Sequence, residues 1–291
     1  MLLKFEQYLL TEKRYSEHTL KAYLMDVEQF LNFLNTDEQI DYALVRSSDI
    51  RSWIVALFDE GATRKTINRK LSSLRTLFKW LKKEGVVSLN PLTKVNGPKN
   101  EKRLPQFAKE SDLKADKLEH IFDVDFNGVR DRLMFEFFYQ TGMRLSELVN
   151  LKESDVSHES IRVIGKRNKE RILPISSELS RQISAYRKMK SGIGITSLTF
   201  FVLENGNNLY PKFVYRKINY YLGGVTNLDK TSPHILRHTF ATHMLNNGAG
   251  LETLKDLLGH ASLSATQVYT HNSFAQLTRI YSQAHPRGQK T

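Results

Sequence analysis

Cysteine is absent from all 291 residues, which removes disulfides, thiolate metal ligands and a cysteine nucleophile from consideration. No apolar run approaches the ~20 residues that a membrane-spanning helix needs. The opening MLLKFEQYLLTEKRY carries Lys4 and Glu6 inside its apolar part, which argues against a secretory leader. Internal repeats and low-complexity tracts are missing too. These absences predict a soluble, cytoplasmic chain. Its length suffices for two domains, each with its own core.

One further absence is local. No Asp or Glu lies between Ala62 and Lys83, while Arg64, Lys65, Arg69, Lys70, Arg75, Lys79, Lys82 and Lys83 all do. The same stretch places Ile67, Leu71, Leu74, Phe78 and Leu81 at helical spacing, so it predicts a helix with a buried stripe and a cationic remainder. Such a face is either simply solvated or tracks a phosphate backbone. The whole chain carries a formal net charge of +12, which suits a polyanionic partner and also fits a basic protein with none.

Residues 1–95 read as helical throughout. HTLKAYLMDVEQFLNFL has an apolar face running from Leu20 to Leu34, with Ser16 as the expected N-cap; SSDIRSWIVALFDEG is a second helix, capped by Ser47 or Ser48 and closed by Gly61. SLNPLTKVNGPKNEKRLPQF then breaks the periodicity with three prolines, a glycine and a run of charges, and predicts a linker over 96–109. Residues 1–98 carry a net charge of +3 and the rest +9, so a DNA partner would be expected to touch both halves.

The second domain, 110–291, opens on two predicted helices, ESDLKADKLEHIFD and GVRDRLMFEFFYQTG. ESIRVIGKRNKERILPIS changes period: two β-branched runs flank a polar turn, as in a hairpin. Helical patterns then return and last nearly to the end. The expected architecture is mainly α: an N-terminal helical bundle and an α+β domain holding one small antiparallel sheet.

SPHILRHTFATHML concentrates histidines. A zinc-protease helix needs Glu directly after its first histidine, and Ile235 stands there instead. His243 falls near the apolar stripe of Leu236, Phe240 and Met244, as a core residue would. His234 and Arg237, at i and i+3, share a face where both reach one ligand. A histidine beside an arginine is a poor cation site and a good anion site. In YQTGMRLSELVNL, Glu147 stands three residues after Arg144 and can fix its guanidinium; a plain surface ion pair is the alternative. GKRNKER clusters Lys166, Arg167, Lys169 and Arg171 on the hairpin turn. LGHASLSATQVYTH ends a helix at Gly259, with His260 next and Tyr269 beyond; taken singly, that tyrosine reads as a packing residue.

Together TGMRLSEL, GKRNKER, HILRHTFATHML and LGHASLSATQVYTH resemble, in order, the catalytic boxes of the tyrosine recombinases, the lambda-integrase family. The resemblance covers nearly the whole chain, and its two-domain length is most similar to the Xer-type members. It implies that Arg144, Lys166, His234, Arg237 and His260 surround a scissile DNA phosphate and that Tyr269 is the nucleophile, with no metal or other cofactor. The family's turn usually reads Gly-Lys-Gly; here Arg167 replaces the second glycine. The resemblance further implies a clamp around duplex DNA, with Arg64, Lys65, Arg69, Lys70, Lys79, Arg167 and Lys169 as candidate contacts. It implies a homo-tetramer, or a hetero-tetramer with a second recombinase, on paired sites, with an activating partner an open matter. SFAQLTRIYSQAH is the expected segment exchanged between protomers, which would leave apolar surface bare in a lone monomer. Three rivals stay open: a non-catalytic regulator on the same fold, a metal-dependent nuclease and a type IB topoisomerase.

Overall fold

The computed structural model describes residues 1–34, 40–101, 106–165, 169–259 and 271–288, without the side chains of 271–273. The chain divides into two compact units, Met1–Arg103 and Leu104–Thr291.

The first unit is built from α1 (Leu2–Thr11), α2 (Glu17–Phe33), α3 (Ser47–Asp59) and α4 (Arg64–Lys83). Ser16 caps α2 as expected, accepting from the Thr19 N–H at 3.4 Å. The expected serine cap of α3 is not used. The Ser47 hydroxyl donates instead to the Pro91 carbonyl at 2.6 Å, and Asp49 caps from inside the helix by accepting the Arg46 N–H at 2.8 Å. Thr63 caps α4 and Gly61, at φ +81°, turns the chain into it. The predicted stripe of α4 is fully buried, and Leu77 and Trp80 extend it. It packs on α2 around Phe30 and Trp53. Each such side chain contributes about 1.5–3 kcal/mol by leaving water.

The segment expected as a linker is anchored at both ends. Arg75 holds the Val95 carbonyl at 3.0 Å, and the Asn68 amide holds the Pro98 carbonyl at 2.8 Å and the Asn100 side chain at 3.0 Å. Gly97 lies so close to Asn68 that a Cβ would fall 1.9 Å from its Oδ1. At the far end Ala108 is buried in the second unit, its N–H donating to the Thr239 hydroxyl at 3.0 Å.

In the second unit α6 (Phe126–Thr141) is the central helix, capped by Asp125 and buried continuously from Leu133 to Thr141. The long helix expected over ESDLKADKLEHIFD is a 3-10 turn, Glu110–Asp112, and a five-residue α5, Ala115–Glu119. Neither has a side-chain N-cap, and buried Leu113, Leu118 and Phe122 tie the stretch to the core instead. α7 (Leu145–Val149) leads to the expected hairpin. Its strands β1 (Ser160–Ile164) and β2 (Glu170–Pro174) pair antiparallel in a register that sets Val163 opposite Arg171. α8 (Ser177–Gly192), α9 (Pro211–Val225), α10 (Pro233–Asn246) and α11 (Leu251–Leu258) follow.

The last helix, α12 (His271–Ala284), packs against α10 and β2 of its own unit, burying Leu277, Tyr281 and Ala284. Beyond it His285 donates to the Tyr139 carbonyl at 3.1 Å, and Arg287 forks onto Glu136 at 2.9 and 3.2 Å. The apolar surface expected to lie bare in a lone chain is therefore covered by the chain's own C-terminal segment. Among the described residues no helix is long and apolar enough to cross a membrane.

Candidate active site

α6 ends at Gly142 in the left-handed region, φ +60°, where a Cβ would meet Phe240 at 2.5 Å. The chain reverses there and delivers Arg144 to the N-terminus of α7. Glu147, one turn on, accepts the Arg144 backbone N–H at 2.7 Å and its Nη1 at 2.8 Å. The i, i+3 pairing expected from sequence is present, and it is no surface ion pair: the Glu147 side chain is 3% exposed.

The reason for that burial was not visible in the sequence. Arg171 lies inside β2, not on the turn with its basic neighbours, and its fork donates to both Glu147 oxygens at 2.8 and 2.7 Å. Burial alone would raise the Glu147 pKa. The hydrogen bonds and charges of Arg171, then Arg144, outweigh it and hold the carboxyl down to about 2. Alternation was the signal: in β2 the arginine occupies an inward position beside Leu173.

Ser232 caps α10 and Pro233 opens it, so His234 and Arg237 fall on its first turns. His234 is exposed; Arg237 is buried, donating to the Gly142 carbonyl through Nη1 and to the Leu258 carbonyl at 2.7 Å through Nη2. Burial, then the charges of Arg144 and Arg171, push the Arg237 pKa down to about 10. Arg144 and Arg171 thus share one carboxylate while Arg237, held by carbonyls, adds a third guanidinium beside them, and the surplus positive charge makes this a place that favours an anion.

Three successive carbonyls end α11, and each is held by a different arginine: Leu257 by Arg171 at 2.7 Å, Leu258 by Arg237 at 2.7 Å and Gly259 by Arg144 at 3.2 Å. These are the unpaired, negative-dipole groups of a helix C-terminus, where cations are stabilised. Gly259, at φ +62°, makes the turn possible.

Arg144, His234 and Arg237 line one cavity of about 340 Å³, together with Ser232 and Tyr215 of α9. Tyr215 had no signal in the sequence beyond its place on a helix. A second groove of about 450 Å³ runs from Arg144 along the hairpin, past Asn150, Lys152, Arg162 and Gly165.

The other histidines sort by surroundings. His243 is core, as expected: Nε2 donates to the Ala108 carbonyl at 2.9 Å, so Nδ1 accepts from the Tyr139 hydroxyl at 3.1 Å. His238 is half-buried and edge-on to Phe107; burial, then the nearby His234, lowers its pKa. Among the described residues no three His, Asp or Glu side chains gather to hold a metal ion.

Lys166, Arg167, His260 and Tyr269 lie outside the described residues. Lys169 is exposed at the base of the hairpin turn. In the first unit Arg64, Lys65 and Lys79 are exposed on α4. Arg69 and Lys70 are instead engaged with Asp26 of α2, which is 1% exposed. Asp26, missed by sequence reasoning, takes Arg69 through both oxygens, Lys70 at 3.2 Å and the Ser73 hydroxyl at 2.7 Å.

The model of the phage integrase family matches residues 111–276, and that of the phage integrase N-terminal SAM-like domain matches residues 2–85. The tyrosine recombinase XerC of Bacillus licheniformis is 38% identical over 308 residues, covering 99% of this chain and 97% of its own. The XerC of Staphylococcus haemolyticus is also 38% identical, over 289 residues, with 98% and 97% covered. Among solved structures, a XerH recombinase bound to palindromic difH substrate has a TM-score of 0.70 at 20% identity, covering 90% of this chain and 79% of that one. A lambda integrase dimer bound to a COC' core site has a TM-score of 0.69 at 18% identity, with 100% and 77% covered. Both structures share the fold. With two family models matched in order and relatives above 35% identity along its whole length, the chain belongs to the tyrosine recombinases of the phage integrase family, which are site-specific recombinases.

Proposed function

We propose that the cavity of Arg144, His234 and Arg237 receives the scissile phosphate of a DNA recombination site and that Tyr269 attacks it. The carrying observation is the surplus of guanidinium charge at that cavity, with each arginine aimed by fixed partners. Attack builds negative charge on the non-bridging oxygens. Arg144 and Arg237, already oriented, stabilise that charge without reorganising. His260 donates a further hydrogen bond. A tyrosine hydroxyl ordinarily titrates near ~10; His234 accepts its proton as the Tyr269 oxygen bonds to phosphorus. The bond from phosphorus to the 5′-oxygen breaks, and Lys166 protonates the departing 5′-oxygen to leave a 5′-hydroxyl. The resulting 3′-phosphotyrosine keeps the energy of the phosphodiester, so a 5′-hydroxyl of a second strand reverses the step and restores Tyr269.

The partner is duplex DNA, held by both units, with Arg64, Lys65 and Lys79 of α4 and Arg167 and Lys169 of the hairpin on the phosphates. Arg69 and Lys70 join them with the charge that Asp26 leaves free. A lambda integrase tetramer bound to a Holliday junction shares this fold, with a TM-score of 0.66 at 19% identity. A tetramer of this chain on two sites, alone or with a second recombinase, is the corresponding assembly. In it α12 leaves its own unit for a neighbour's. The reaction serves to integrate or excise an element or to resolve chromosome dimers, in the cytoplasm.

Tyr269→Phe removes only the attacking oxygen. On a nicked suicide duplex carrying the site, the wild-type chain is expected to form a covalent adduct in excess chelator, and the variant to bind DNA without one. Undiminished adduct in the variant would falsify the assignment.

A further inference from the structure

We infer that Arg171 is a positioning residue that aims both arginines of the phosphate clamp; the inference rests on the reading of Arg144 and Arg237 as phosphate ligands. Its side chain is 4% exposed, so it does not meet the substrate itself. It occupies an inward position of β2 opposite Val163, where an aliphatic side chain would pack without the cost of burying a charge. What the charge does there is visible in its partners. Two nitrogens grip both oxygens of Glu147, and the third donor, Nε, grips the Leu257 carbonyl.

Both grips lead to the clamp. Glu147 turns the same two oxygens to the side chain and the backbone of Arg144, so fixing the plane of the carboxylate fixes the direction of that guanidinium. Leu257 is followed directly by the carbonyls that hold Arg237 and Arg144, so pinning the end of α11 sets the far anchor of both. The fit is tight on that side too. A Cβ on Gly259 would stand 3.2 Å from the Arg171 Cδ and Nη1, in a backbone conformation that already favours glycine. A lysine cannot replace this residue. One ammonium has no planar fork to span two carboxylate oxygens while also reaching a carbonyl on another element.

The test compares a nicked suicide duplex bearing the normal scissile phosphate with one bearing a methylphosphonate, in which a methyl replaces a charged non-bridging oxygen. Single-turnover adduct formation is measured for the wild-type chain, Arg144→Ala, Arg171→Lys and the uncharged Arg171→Gln, with circular dichroism confirming which variants fold. Arg144→Ala should collapse the rate ratio of phosphate to methylphosphonate, because the charge it recognises is gone from the second substrate. A displacement of about 1 Å costs roughly 10²-fold in a positioned site. The Arg171 variants should therefore slow the phosphate substrate roughly tenfold to a hundredfold and lower the same ratio, with DNA affinity unchanged. A purely structural role would slow both substrates equally, and that result overturns the inference. In a Glu147→Gln background, Arg171→Lys should shift the ratio far less than it does alone; full additivity of the two changes also overturns it. If Arg144→Ala leaves the ratio untouched, or Tyr269→Phe still forms adduct, the fault lies in the underlying reading instead.

Discussion

Asp26 of the first unit and Glu147 of the second are each buried between two basic side chains, and the two sites differ in where the cations come from. Asp26 takes Arg69 and Lys70, neighbours on one helix. Glu147 takes Arg144 from the start of α7 and Arg171 from β2, with Arg237 of α10 close behind. The first arrangement ties α4 to α2 through one acid, two bases and the Ser73 hydroxyl, with one positive charge left over. The second is held open. Three guanidiniums outnumber the acid and lean on main-chain carbonyls for the balance, and two of them, Arg144 and Arg237, border a cavity. A buried carboxylate can thus serve either to hold a helix to its neighbour or to aim a charge at a ligand. In this pair the cations of the first come from one helix, and those of the second from three separate segments of the chain.

The largest effect expected from breaking this comparison is on chemistry. Arg237→Ala should lower single-turnover cleavage roughly 10²–10³-fold, the range for losing one preorganised charge-stabilising donor. Asp26→Asn should leave the cleavage rate of the bound complex near that of the wild-type chain. Equal losses from both would erase the distinction.

Stability should respond the other way. Arg69→Ala with Lys70→Ala strands Asp26 in the core with only Ser73 for company, at a cost on the order of 3 kcal/mol. Trp53 and Trp80 are the chain's only tryptophans and both lie in the first unit's core, so their fluorescence during denaturant unfolding reads that unit alone. An unmoved transition would mean that the pair contributes nothing.

Acid sharpens the comparison further. The Glu147 carboxyl, held down to about 2 against an unperturbed 4.5, binds its proton more readily in the unfolded chain. Its contribution is therefore complete above about 4.5 and lost as pH falls toward 2, by up to about 3 kcal/mol. Glu147→Gln should flatten that part of the acid-unfolding profile, followed by far-ultraviolet circular dichroism. A parallel profile for the variant would contradict the ion-pair account.

The smallest effect concerns the exposed cations of α4. Arg64→Ala, Lys65→Ala and Lys79→Ala, none of which has an acidic partner in an ion pair among the described residues, should each lower the slope of log affinity against log salt by about one. An unchanged slope would make this face merely solvated.

Legibility in the sequence followed the same division. Within one helix, spacing sufficed: the stripe of α4 from Ile67 to Leu81, the Arg144–Glu147 pair and the His234–Arg237 face were all readable. Contacts between distant segments were not. Arg171 meets Glu147 across 24 residues of chain, and its partner at Leu257 is a carbonyl, a group present at every position and marked by no letter. Ser47 failed as a cap because a carbonyl 44 residues away took its hydroxyl. The amphipathic character of α12 was legible, but periodicity does not say which core covers it. Buried His285 belongs to the same kind of surprise. Packed among Tyr139, Tyr281 and Phe240, with Arg287 beside it and His243 near, it is pushed down to about 3 by burial.

The three carbonyls at the end of α11 have a consequence for how this protein tolerates mutational drift. An acceptor that belongs to the main chain survives any change of side chain, so Leu257 and Leu258 answer only to the packing of their own apolar bodies. In a saturation scan these two positions should accept other aliphatic residues, whereas Arg144, Arg171, Arg237, Gly142 and Gly259 should accept almost nothing. The clamp is thus anchored to a part of the molecule that codon changes cannot delete. Apart from a change at the turn residue Gly259, replacing the amide by an ester in the backbone, which weakens the carbonyl as an acceptor, is what would loosen it from that side.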